Sequence, residues 1–177
     1  MSLVEVKNAN DPQYLDMEDL KEKSVEGLDE IYRKGVAPNV TELEGKYDGV
    51  VLAGSLPFMD SPASVRLANS PLVRWGGKKF DVVSENLAEG TNWFDLGLFE
   101  LDRYDFEGRL EPARFGGGNC YVLDYDVPGN LPPVNRIRDE IKKLRDGLYL
   151  GRIYVDTVDG YRFVSYFGIE KSIDFDY

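Results

Sequence analysis

Few side chains in this 177-residue chain have catalytic potential, because it contains no histidine. That removes His-ligated zinc and haem, Ser-His and Cys-His nucleophile pairs, and the commonest general base at neutral pH. Chemistry is left to carboxylates, Lys, Tyr and the single cysteine, Cys120. Cys120 has no base beside it in sequence and reads as a small buried residue. Asp124 and Asp126 share a strand face as an acid–base pair would. Paired carboxylates on an exposed face are commonplace in an acidic chain, so no catalytic residue is assigned. Gly116-Gly117-Gly118 lacks the spacing and strand-to-helix setting of a phosphate loop and reads as a turn. No metal ligands or cofactor site are indicated.

Binding chemistry is better represented. Trp75-x-Gly77-Lys78-x-Phe80 places an aromatic residue and a cation on one strand-like segment. Tyr121, Leu123 and Tyr125 alternate on one face of a second, and Leu148, Leu150, Arg152 and Tyr154 on a face of a third. An inward face that mixes Tyr, Leu and Arg suits an amphipathic pocket, and equally an ordinary core whose polar tips reach the rim. Arg138 and Arg152 both fall beside apolar positions, and a buried guanidinium needs an anion or several acceptors. Asp124, Asp139 or the carboxylate of a ligand can meet that need. The candidate ligand-binding residues are therefore Trp75, Lys78, Tyr125, Arg138 and Arg152. The aromatics would line a cavity for an apolar or anionic amphipathic small molecule, and the cations would fix its acidic head group.

These residues must be positioned by the elements around them. Residues 1–14 form an uncommitted lead-in. Met17, Leu20, Val25, Leu28, Ile31 and Tyr32 fall on one stripe at helical spacing, with acids first and Arg33 and Lys34 last, so a helix is expected over 16–35 with Asp16 as N-cap. Gly35 and Pro38 stop it. Strand-like segments follow at 43–52, 72–83, 93–103, 109–115, 119–127, 149–157 and 161–170. Glu107-Gly108, the three glycines at 116–118 and Asp159-Gly160 supply hairpin signals. The stretch 55–71 is mixed, with one short helical turn expected near 63–68. Val134, Ile137, Ile141 and Leu144 recur at helical spacing behind Pro132-Pro133, which predicts a second helix over 132–146. The expected fold is mainly β within an α+β class. An antiparallel meander of about seven strands over 41–177 closes into a calycin- or lipocalin-like barrel, with the second helix before the last hairpin.

The length fits one domain, 1–177, which needs neither disulfide nor metal to fold. The 11 Tyr and 9 Phe favour β structure. A net charge of −11 without a basic stripe argues against nucleic acid. There is no signal-like start and no apolar run of ~18 residues, and a lone cysteine fits a reducing compartment. A cytoplasmic location without a membrane span is the expectation.

Gly45-Lys46-Tyr47-Asp48-Gly49, then Trp75-Gly76-Gly77-Lys78-Lys79-Phe80, then Tyr125-Asp126-Val127-Pro128, Arg138-Asp139 and Leu150-Gly151 occur in the order seen in a known group. In this order the chain resembles uncharacterised bacterial proteins in which a GXWXG domain precedes a short C-terminal domain of unknown function. Tyr47 stands where that motif has its tryptophan. The resemblance implies a calycin-like β fold with an accompanying helix, and brings no settled activity. Two other functions fit the same residues: an isomerase or dehydratase working through Tyr, Lys or a carboxylate in the cavity, and a non-catalytic structural homodimer.

Overall fold

The computed structural model describes residues 11–54 and 75–173. A 3-10 turn, Pro12–Tyr14, capped by Asp11, already lies within the stretch expected to be an uncommitted lead-in. The first helix is two helices, α1 (Met17–Lys21) and α2 (Val25–Lys34). Asp16 and Asp19 exchange side-chain-to-backbone hydrogen bonds of 2.9 and 3.0 Å at the start of α1. The helix breaks because Ser24 caps a new one: its Oγ accepts from Gly27 N at 3.2 Å. A serine at that position offers the backbone a local partner that competes with helix continuation.

Eight antiparallel strands follow: β1 (Gly45–Gly54), β2 (Trp75–Val82), β3 (Ala88–Asp95), β4 (Glu100–Pro112), β5 (Asn119–Asp124), β6 (Ile137–Arg145), β7 (Leu148–Thr157) and β8 (Gly160–Lys171). Each pairs with the next, and β8 pairs with β1, so the sheet closes into a barrel. The expected antiparallel meander and its closure are thus present, and closure gives every strand a neighbour on both sides.

The second helix is not. The segment 132–146 contains a 3-10 turn, Val134–Arg136, and then strand β6 between β5 and β7. Both faces of β6 are covered, so its apolar residues do not alternate. Asp139 and Glu140 on opposite faces are buried, as is Lys142, while Ile141 and Leu144 supply the remaining buried positions. A two-sided strand carrying buried charges mimics the 3-and-4 spacing of a helix. The expected strand over 93–103 is likewise the end of β3, a turn over 96–99, and the start of β4. Glu107-Gly108 is no hairpin: Gly108 lies inside β4, pairs with Leu123 and is covered by the Tyr121 ring. The glycine turn at 116–118 and the Asp159-Gly160 turn stand where expected. The short helical turn expected near 63–68 lies outside the described residues.

Two apolar clusters result. One lies inside the barrel. At one end of it Val40 and Leu43, from the 3-10 turn Val40–Glu42 and its flank, pack with Tyr47, Phe80, Tyr121 and Tyr149. Tyr47 meets Phe80 and Tyr149 edge-to-face at 5.5 and 5.6 Å and donates its hydroxyl to Glu42 O at 3.0 Å. That end is solid. The other cluster lies outside, where Leu20, Leu28 and Ile31 of the helices cover Leu52, Leu144, Leu148 and Leu150. Gly168 permits this close approach: a Cβ there would come within 2.6 Å of Met17 Sδ.

Candidate functional site: a polar cluster at the floor of the barrel cavity

Among the described residues, the interior is not filled in the half of the barrel nearest the β3–β4, β5–β6 and β7–β8 turns. A cavity of about 250 Å³ remains there, walled by Trp75, Phe94, Tyr104, Ile137, Ile153 and Phe167, with Val51 and Val134. Four polar residues also face it: Lys78, Asn92, Tyr125 and Asp139.

Strand alternation explains how they meet. Lys78 precedes Phe80 by two residues on β2, Asn92 precedes Phe94 by two on β3, and Asp139 lies between Ile137 and Ile141 on β6, so each takes an inward position. Tyr125 follows β5 in the same alternation as Tyr121 and Leu123, all three buried in the interior cluster. Lys78 is 2% and Asp139 3% exposed, which makes theirs a dry ion pair. Lys78 Nζ donates to Asp139 Oδ2 at 2.8 Å, to Tyr125 Oη at 2.5 Å and to Asn92 Oδ1 at 3.0 Å. Tyr125 Oη donates to Asp139 Oδ2 at 3.0 Å. Asn92 Nδ2 donates to Tyr125 Oη and Tyr104 O, and Asn92 Oδ1 also accepts from Trp75 Nε1 at 3.0 Å. Tyr104 has φ +67, a left-handed conformation uncommon for a residue with a large side chain. It sits beside the register shift between β3 and β4 at Thr91/Asn92, and the extra residue turns its carbonyl toward the cluster.

Burial dominates the titration of the cluster. It lowers the Lys78 pKa below the ordinary lysine range, and Asp139 opposes that shift by charge and hydrogen bonding. Burial likewise raises Tyr125 well above the ordinary phenol value, and the Asp139 charge adds to the effect. Tyr125 therefore remains a protonated donor.

Of the five residues proposed from sequence, Trp75, Lys78 and Tyr125 come together at this cavity. Arg138 and Arg152 do not. Arg138 is on the outward face of β6, where it pairs with Glu111 at 2.8 Å and Glu140 at 3.0 Å. Arg152 is on the outward face of β7, beneath α2. Its Nε donates to Tyr166 Oη at 3.0 Å, its Nη2 pairs with Asp29, and its guanidinium stacks 3.9 Å from the centre of the Tyr32 ring. The face bearing Leu148, Leu150, Arg152 and Tyr154 is buried by the helix and not by the barrel interior. The partner of Arg152 comes from 123 residues earlier in the chain, a separation that strand patterns do not reveal. Asn92, Tyr104 and Phe167 were missed. The one available signal was the alternation Gly90, Asn92, Phe94, in which a polar residue interrupts an inward face.

Other sequence candidates stay outside the site. Asp124 pairs with Arg109 at 3.0 Å on the surface. Cys120 is buried, and burial lifts its thiol to about 12. Among the described residues no group of three or more Cys, Asp or Glu is placed to hold a metal ion, and no helix is long and apolar enough to cross a membrane.

No family model and no curated protein matches the chain. One solved structure, a "crystal structure of protein from Thermomonospora curvata", is similar at 17% identity over 82% of this chain and 85% of that one, with a TM-score of 0.47.

Proposed function

We propose that the protein binds a small, predominantly apolar molecule inside the barrel. The carrying observation is the cavity of about 250 Å³ with aromatic and aliphatic walls and a buried polar cluster at one side. An eight-stranded barrel has room to hold one small ligand, as lipocalin-type carriers do. The volume lies between a void of ~150 Å³ that admits benzene and the ~300 Å³ where drug-sized sites begin. A one- or two-ring compound or a short aliphatic chain suits it. Kinship with GXWXG-domain proteins is a second element of the proposal. Two of the motifs that carry it, 45–49 and 75–80, are antiparallel neighbours, with Tyr47 opposite Lys78 and Asp48 opposite Gly77.

Native mass spectrometry of protein purified without added ligand tests the reading, together with the combined fluorescence of Trp75 and Trp93 across a panel of small apolar compounds. An adduct or a saturable change is expected, and Ile153→Phe should remove it by filling the cavity. A bare polypeptide mass with no response to any compound would sink the proposal.

The enzymatic alternative draws on the same cluster, since a buried Lys–Asp–Tyr group resembles acid–base machinery. Its mutual hydrogen bonding favours binding instead, because none of the three is held apart from the others.

A further inference from the structure

Resting on the reading of the cavity as a ligand site, we infer that its ligand is a neutral molecule carrying a hydrogen-bond donor, such as an alcohol, a phenol or an N–H heterocycle. A carboxylate is the wrong head group. The inference follows from counting donors and acceptors in the cluster. An ammonium has three N–H donors, and those of Lys78 are engaged by Asp139, Tyr125 and Asn92. The single O–H of Tyr125 goes to Asp139. Both amide hydrogens of Asn92 are engaged, by Tyr104 O and Tyr125 Oη, and the Trp75 N–H is engaged by Asn92 Oδ1. No donor of the cluster is left for an anion.

One acceptor is left. Asp139 Oδ2 receives Lys78 and Tyr125, whereas Asp139 Oδ1 is buried and has no hydrogen-bond partner among the described residues. A buried carboxylate oxygen without a donor is costly, and a ligand that supplies one removes the cost. Charge leads the same way. Lys78 and Asp139 cancel, so a neutral ligand keeps the cavity neutral, while a carboxylate would add a buried negative charge with nothing to pair it. The anionic head group expected from Arg138 and Arg152 also loses its basis, since both guanidinia lie outside the barrel with protein carboxylates.

Calorimetric titration of the unmodified protein with indole, benzofuran and benzoate tests this. Indole and benzofuran share a shape and differ in one N–H donor. Indole should bind about 10- to 100-fold more tightly than benzofuran, the range of a hydrogen bond to a charged acceptor, and benzoate more weakly than either. In Asp139→Asn, with folding checked by near-ultraviolet circular dichroism, the preference for indole should collapse. Equal affinity for indole and benzofuran would overturn the donor inference while leaving the cavity as a ligand site. Tightest binding of benzoate would overturn it in favour of an anion. Failure of all three to bind would remove both this inference and the reading beneath it.

Discussion

Lys78 and Asp139 form their 2.8 Å ion pair across the barrel, from β2 and β6, strands that lie opposite each other in the closed order of eight. The pair is a strut through the interior. Removing one end strands a charge in a dry site, a loss of about 3–5 kcal/mol for such pairs, whereas replacing both by apolar groups of similar size is often nearly neutral. Urea denaturation at pH 7 should show Lys78→Met and Asp139→Leu each strongly destabilising and the double variant far less so than their sum. Strict additivity would show that the two side chains do not act as a pair.

Alkali should unfold this protein steeply. Burial raises the pKa of Tyr32, Tyr47, Tyr121, Tyr125, Tyr149, Tyr154 and Tyr166, with Tyr121 and Tyr154 at about 12. Above the ordinary phenol value of ~10 the unfolded chain releases these protons and the folded chain keeps them, so stability falls as pH rises. Each tyrosine contributes up to about 1.4 kcal/mol per pH unit, and three would offset much of a stability of ~5–15 kcal/mol within two or three units. Lys78 has the opposite sign, since its folded pKa lies below the ordinary lysine value, and it is outnumbered. Tyrosinate absorbance should rise together with loss of circular dichroism, not before it.

Arg152 and Lys78 should separate stability from binding. Arg152→Leu breaks the link from β7 to Asp29 on α2 and should cost about 1–3 kcal/mol, yet leave affinity for a cavity ligand unchanged. Lys78→Met should alter affinity. Denaturation curves and titrations on both variants check this. Loss of binding in Arg152→Leu at conditions where it is folded would place the ligand elsewhere.

The absence of a side chain at Gly151 leaves room for the Phe167 ring. A Cβ at that position would overlap the Phe167 ring, which forms part of the cavity wall. Gly151→Ala should therefore push Phe167 inward, lower stability by about 1–3 kcal/mol through overpacking and exclude the larger members of a ligand series first. A size preference unchanged from the parent protein would refute that role.

The barrel was legible because most of its strands report themselves: the glycine turn at 116–118, Asp159-Gly160, and alternating runs such as Tyr121, Leu123, Tyr125. β6 was not, because neither of its faces is wet and its buried positions include Asp139, Glu140 and Lys142. Hydrophobic periodicity is blind to a charge that is buried because it is paired. The same blindness split the candidate site. Lys78 and Tyr125 take inward positions that strand alternation shows, and Trp75, three residues before Lys78, joins them only through the register shift between Trp75 and Gly77. Arg152 shares a face with leucines that α2 covers, and a strand pattern does not say which of two covered faces is the interior.

The closing ladder places a heavy responsibility on β8. It pairs along β7 from Leu148↔Glu170 to Thr157↔Gly160, and along β1 from Tyr47↔Lys171 to Gly54↔Ser165. Without β8, β1 and β7 would be raw margins able to pair with another extended chain, and Phe167 would be missing from the chamber wall.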